Sequence, residues 1–155
     1  MKIIPKRRRR EQKTDYKTRL NLLKSGLTRI VFRKSNKYII GQVVKSSNAQ
    51  DKIIFTFNSK YLLKNGWPEN KKGSLKSLPA AYLTGYFLGK ESKVQENVIL
   101  DIGMIRNIPN SKPFAFLKGL VDAGVKINHN KEALPDDKLI RKDKELSEII
   151  DKLIK

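Results

Sequence analysis

Four consecutive arginines, Arg7, Arg8, Arg9 and Arg10, with Lys6 before them and Lys13 after, are the strongest chemical signal in the chain. A guanidinium is a planar fork of donors that meets two phosphate oxygens at once, so such a run suits an arm laid along a phosphate backbone. The same letters also read as a nuclear-import signal, and the run alone does not separate the two. Tyr16 and Tyr38 are interleaved with basic residues, where a ring can stack on an unpaired base or pack at the protein's edge. His129 is the only histidine and the chain has no cysteine. With no carboxylate at ligand spacing, His129 is expected to hydrogen-bond RNA or close a turn, and no metal site is expected. Asp101 ends an apolar run, where a two-metal nuclease would place a carboxylate. With only Asp122, Glu91 and Glu96 weighed as possible companions, a turn or cap role is the plainer reading. Neither a phosphate-binding G-x-x-x-x-G-K-[ST] loop nor a nucleophile elbow occurs. The expectation is a protein that is not an enzyme and needs no cofactor.

Charge points the same way. The 155 residues hold 34 Lys or Arg against 15 Asp or Glu, a formal net charge of +19. Residues 1–38 carry 14 of those bases against Glu11 and Asp15, a balance of +12. A surface charged only for solubility intersperses its signs. A cationic end favours a polyanion, whose condensed counterions are released on binding. No run reaches the eighteen or so apolar residues of a membrane span, no apolar segment follows the N-terminal charges, and no membrane partner is expected.

The elements that must position these groups follow from periodicity and punctuation. Residues 1–13 bury too little apolar surface to fold alone and are expected to be disordered until a polyanion neutralises them. Thr14 or Asp15 caps a helix with Tyr16, Leu20 and Leu23 on one face and Lys13, Lys17 and Lys24 opposite, stopped by Ser25-Gly26. Arg29 and Arg33 flank a first strand, Ile30-Val31-Phe32. A turn, Lys34-Ser35-Asn36-Lys37, with Asn36 suited to a left-handed position, leads through Tyr38-Ile39-Ile40 to Val43-Val44. Polar loops around Ser46–Asp51 precede a third strand at Ile53–Phe57. Tyr61-Leu62-Leu63 reads as a short helix and Trp67 to Lys76 as a loop. Ser77 and Pro79 start a helix over Leu78–Gly89 that is apolar nearly all round and therefore buried. Val98 to Gly103 reads as a strand buried on both faces. Ser111 caps a further helix through Phe114, Phe116, Leu117, Leu120 and Val121 to Gly124. Val125 and Ile127 add a short strand. Leu146, Ile149, Ile150, Leu153 and Ile154 recur at helical spacing, an amphipathic stripe expected to dock on the parent domain. The fold class is α/β: an N-terminal antiparallel meander plus a buried strand in a mixed sheet, with packed helices, a basic extension (1–13), a central domain (14–130) and a C-terminal tail (131–155).

These residues also resemble a known family. The order Arg7-Arg8-Arg9-Arg10-Glu11, Lys13-Thr14-Asp15-Tyr16, Arg19-Leu20 and Leu22-Leu23-Lys24-Ser25-Gly26 is similar to the opening of the L-eighteen family of large-subunit ribosomal proteins. In the same order follow Arg33-Lys34-Ser35-Asn36-Lys37, Ala81-Tyr82-Leu83-Thr84-Gly85 and Leu100-Asp101-Ile102-Gly103. Ser111-Lys112, Phe114-Ala115, Gly119, Asp122-Ala123-Gly124 and His129-Asn130 complete the set. The segment Tyr61–Gly66 with Trp67 resembles the archaeal and eukaryotic branch, and the brief tail after Asn130 the archaeal one. The resemblance implies a structural protein of the cytoplasmic ribosome that binds 5S rRNA and joins it to large-subunit rRNA in the central protuberance, beside other ribosomal proteins. By motif match it implies RNA contacts at Arg7, Arg8, Arg9, Arg10, Lys13, Tyr16, Arg19, Arg33, Lys34, Ser35, Asn36, Lys37, Ser111 and Lys112. Lys6, Arg29, Tyr38 and His129 complete the candidate set. The competing expectation is a general nucleic-acid-compacting protein with no ribosomal specificity.

Overall fold

The computed structural model describes residues 4–48 and 50–154. Met1 to Ile3 of the basic extension lie outside the described residues. The arginine run, expected to be disordered, forms one helical turn, α1 (Arg7–Arg10), whose exposed backbone is satisfied by Arg9 and Arg10 amides donating to the Lys6 carbonyl. Asp15 then caps α2 (Tyr16–Lys24), accepting from the Lys17 and Thr18 amides, and Gly26 follows in the left-handed conformation. The apolar face expected of α2 is not buried. Leu20 is 53% exposed and no residue of the helix is fully buried, Tyr16, Leu22 and Leu23 being only half-buried.

Alternation of β-branched and aromatic residues builds the meander β1 (Thr28–Lys34), β2 (Ile39–Ser47) and β3 (Gln50–Asn58). Strand β1 pairs antiparallel with β2 from Arg29↔Val44 to Lys34↔Ile39, and β2 with β3 from Ile40↔Asn58 to Ser47↔Gln50. The Ser46–Asp51 stretch is mostly strand rather than loop, turned at Asn48 with φ 51°. The first hairpin turn is closed by Ser35, not by a left-handed Asn36. The Ser35 amide and hydroxyl donate to the Tyr38 carbonyl, and the Tyr38 amide donates back to the hydroxyl.

Ser77 caps α3 (Leu78–Ser92), which is buried along most of its length. It ends at left-handed Lys93, beyond the expected stop at Gly89, because Gly89 serves packing instead: a Cβ there would sit 2.7 Å from that of Ala123. Strand β4 (Val98–Asp101) lies parallel to β1, giving the order β3-β2-β1-β4. It is therefore an edge strand, with Ile99 and Leu100 half-buried, rather than one covered on both faces. Ile127 touches it through an isolated parallel bridge to Val98. Ser111 does not cap α4 (Lys112–Asp122) with its side chain; its hydroxyl donates back to the Ile108 carbonyl at 2.6 Å.

Helices α3 and α4 cover one face of the sheet and cross almost backbone to backbone. A Cβ on Gly85 would lie 2.1 Å from the Phe116 carbonyl oxygen, and one on Gly119 2.1 Å from that of Tyr82. Beneath them Ile30, Phe32, Leu83, Leu88, Phe116 and Leu120 form the core. The tail closes the body with α5 (Asp137–Ile140) and α6 (Lys144–Ile154). Ile140, Leu146 and Ile150 enter the same core, and Tyr86 donates its hydroxyl to the Ile154 carbonyl. The amphipathic stripe thus docks on its own domain.

Candidate RNA interface

Ion pairs and a hydrogen bond fold the N-terminal segment onto itself and onto the cap of α2. Arg7 and Lys13 meet Glu11 at 3.7 and 2.9 Å, Arg9 meets Asp15 at 3.5 Å, and the Arg8 Nε donates to the Thr14 hydroxyl at 2.9 Å. All are exposed and contribute little to stability. A phosphate can displace these carboxylates, so the pairing shapes the segment without consuming its cations. The Lys6 ammonium sits 4.9 Å from the centre of the Tyr16 ring, occupying one face of a side chain expected to be open for stacking.

Beneath this segment runs a network that the sequence did not announce. Arg29 is only 2% exposed. It donates to Asp101 at 3.1 Å, to Asp51 at 2.6 Å and to the Ser46 hydroxyl at 3.0 Å. Arg19 of α2 reaches the same Asp51 at 2.9 Å, and Arg33 reaches the Asp101 carboxylate at 3.2 Å and its carbonyl at 3.0 Å. Arg29 was expected among the RNA-binding residues. Its burial corrects that: it faces the sheet surface opposite α3 and α4, where both neighbouring acids neutralise it. Asp101 takes the plainer of its two readings, since it also accepts the Gly103 amide at 2.8 Å, and no group of acids and histidines suited to a metal is found among the described residues. Asp101→Ala would leave Arg29 buried with one partner fewer, and loss of one member of a buried pair costs about 3 to 5 kcal/mol. Chemical denaturation should show that loss; an unchanged midpoint would mean the network is idle.

Burial opposes ionisation of Asp51, but hydrogen bonds from Ser46, Arg19 and Arg29 outweigh it and lower its pKa to about 2. A carboxylate depressed on folding stabilises fully above its unfolded value and loses that contribution as pH falls through the folded one. The protein should therefore lose stability between about pH 4 and pH 2. Asp51→Asn should show a shallower decline over that window in thermal melts, and an identical decline would reject the assignment.

The network borders a small hollow of about 130 Å³ lined by Arg8, Lys13, Arg19 and Arg33, by Gly103 and Met104, and by the acidic Asp15 and Asp101. The Gly103 backbone, with φ 65°, brings the loop against the Arg33 guanidinium, which a Cβ would meet at 3.0 Å. Arg8, Lys13, Arg19 and Arg33 are thus brought together from separate elements. Lys34, Ser111 and Lys112 gather around a second hollow instead. Burial, with the nearby charges of Lys34 and Lys76, lowers the Lys112 pKa. Ser35, Asn36 and Lys37 stay exposed at the hairpin tip, whereas Tyr38 is half-buried against the core. His129 lines neither hollow; its Nδ1 lies 2.8 Å from the Ile127 carbonyl, which fits the turn reading. Sequence reasoning overlooked Lys76 and Arg106, isolated bases in loops, for which only proximity in the fold gives a signal.

A family model described as "Ribosomal large subunit proteins 60S L5, and 50S L18" matches residues 3–98. The chain belongs to the uL18 family. The large ribosomal subunit protein uL18 of Korarchaeum cryptofilum is 46% identical over 137 residues, covering 87% of this chain and 68% of that protein. That of Methanothermobacter thermautotrophicus is 41% identical over 137 residues, covering 87% and 69%, and that of Halobacterium salinarum 42% over 135, covering 86% and 72%. All three uL18 relatives are archaeal, as the resemblance implied. Membership of the uL18 family makes the chain a structural protein of the large ribosomal subunit and not an enzyme.

Proposed function

We propose that the chain binds 5S rRNA and helps attach it to the large-subunit rRNA in the central protuberance, beside other ribosomal proteins. The observation that carries this reading is the gathering of Arg8, Lys13, Arg19 and Arg33 around one hollow, braced from below by the buried Arg29 and Asp101 and by the more exposed Asp51. Flexible cations grip any polyanion. Cations held by a folded support select a shape, and folded RNA is recognised mainly through shape and backbone. Arg7, Arg9 and Arg10 extend that surface, and the exposed hairpin tip Ser35-Asn36-Lys37 offers an amide for a base edge beside an ammonium for phosphate.

The test is binding of the full chain to a 5S rRNA transcript and to an unrelated RNA duplex of equal length across a salt series. Preference for the transcript, with affinity falling steeply as salt rises, is the expected result. Equal affinity for both, or for DNA, would favour a general compacting protein instead. At fixed salt, Asn36→Ala should reduce the preference for 5S rRNA more than Lys37→Ala does. Equal losses would mean that the tip only grips the backbone.

A further inference from the structure

The loop between β4 and α4 separates two hollows. Its first residues, Gly103 and Met104, line the one beneath the N-terminal segment, and Ile105, Arg106 and Ile108 line the other. This second hollow has a volume of about 310 Å³ and apolar walls contributed by Leu78, Ile105, Ile108 and Pro113. Ile108 is 54% exposed although it lies beside a cavity that could bury it. Lys34, Arg106 and Lys112 also line the hollow, and Lys76 stands close enough for its charge to bear on the Lys112 ammonium.

None of these four cations is ion-paired among the described residues; Lys34, Lys76 and Arg106 are exposed, but Lys112 is half-buried, a setting in which Arg19, Lys71 and Lys118, like the buried Arg29, each have a carboxylate partner. Like charges gathered without a counterion repel one another, and an anion relieves that repulsion. An apolar slot edged by unpaired cations is complementary to a group with a flat, weakly polar body flanked by negative charge. A nucleotide out of its stack has that form, and the cavity is within the size range of small-ligand pockets.

We propose that this second hollow takes one unpaired nucleotide of RNA, its base against Leu78, Ile105, Ile108 and Pro113 and its flanking phosphates on Lys34, Lys76, Arg106 and Lys112. The proposal rests on the RNA-binding reading above and adds to it a site for a base outside the duplex. Continuity favours RNA over an acidic peptide. Because one loop lines both hollows, a strand gripped at Arg8, Arg19 and Arg33 can pass over Met104 to reach the second. A paired base would show only its edge and leave the apolar walls wet.

The experiment measures binding of the full chain to a 5S rRNA transcript over a salt series, with Lys76→Gln, Lys112→Gln and Ile108→Ser as variants, each checked for an unchanged thermal melt. All three positions are solvent-accessible, so the fold should persist. Each lysine variant should lower the slope of log affinity against log salt by about one. Ile108→Ser should weaken binding about fivefold or more with the slope unchanged, since it removes base contact and no charge. A uridine hexanucleotide should compete at this site better than polyglutamate of equal charge. Wild-type behaviour of Ile108→Ser, or equal competition by polyglutamate, would overturn the proposal. If neutralising Arg8 and Arg19 weakens binding while all three hollow variants match wild type, only this site fails. If the wild-type chain ignores the transcript, the RNA reading fails with it.

Discussion

Replacing Arg7, Arg8, Arg9 and Arg10 together by Gln should lower the slope of log affinity for 5S rRNA against log salt by about three to four, roughly one for each phosphate contact removed. Near physiological salt the loss should exceed that from any other change of four surface residues. The reason lies in how these arginines are held. Arg7 and Arg9 are paired only with exposed Glu11 and Asp15, Arg8 is hydrogen-bonded to neutral Thr14, and Arg10 is exposed. Exchange of a solvated carboxylate for phosphate costs little, so nearly the full counterion release is available to binding. Because no residue of α1 is buried, the melting temperature should not move. Filter binding at four or five salt concentrations measures the slope. A parallel shift without change of slope would show that the run does not touch phosphate.

Leu83→Asp should abolish the folded state, and Gly85→Ala should come close to doing so. Leu83 is fully buried in the centre of α3, in the apolar core it shares with Ile30 and Phe116. An uncompensated buried charge exceeds the few kcal/mol by which a domain of this size is ordinarily stable. Gly85→Ala works by a different route. Its new methyl would lie 2.1 Å from the Phe116 carbonyl oxygen, so the backbones of α3 and α4 must separate and the packing on both sides of the crossing loosens. Circular dichroism melts and amide exchange on purified variants would decide. A cooperative melt for Leu83→Asp near the wild-type temperature would mean that α3 is not in the core.

How far the chain could be read without its structure depends on the range of the signal. The meander, the buried helix and the C-terminal stripe are written in periods of two and of three to four residues, and each appears where its pattern places it. Errors arose where a residue's role depends on a distant partner. Gly89 looks like a helix stop but accommodates Ala123. Arg29 shares a face of its strand with Arg33, but Asp51 and Asp101 close around Arg29 and bury it while Arg33 stays exposed.

Composition and local order were sufficient to determine that this is a cationic α/β protein with an arginine-rich N-terminal segment, because charge density and hydrophobic period are properties of neighbouring residues. Which arginine stays exposed and which braces from within was decided only by tertiary structure. So was the gathering of Lys34, Arg106 and Lys112 around an apolar slot. Both depend on distances between residues tens of positions apart, and those distances exist only once the sheet has set its register and the helices have closed over it.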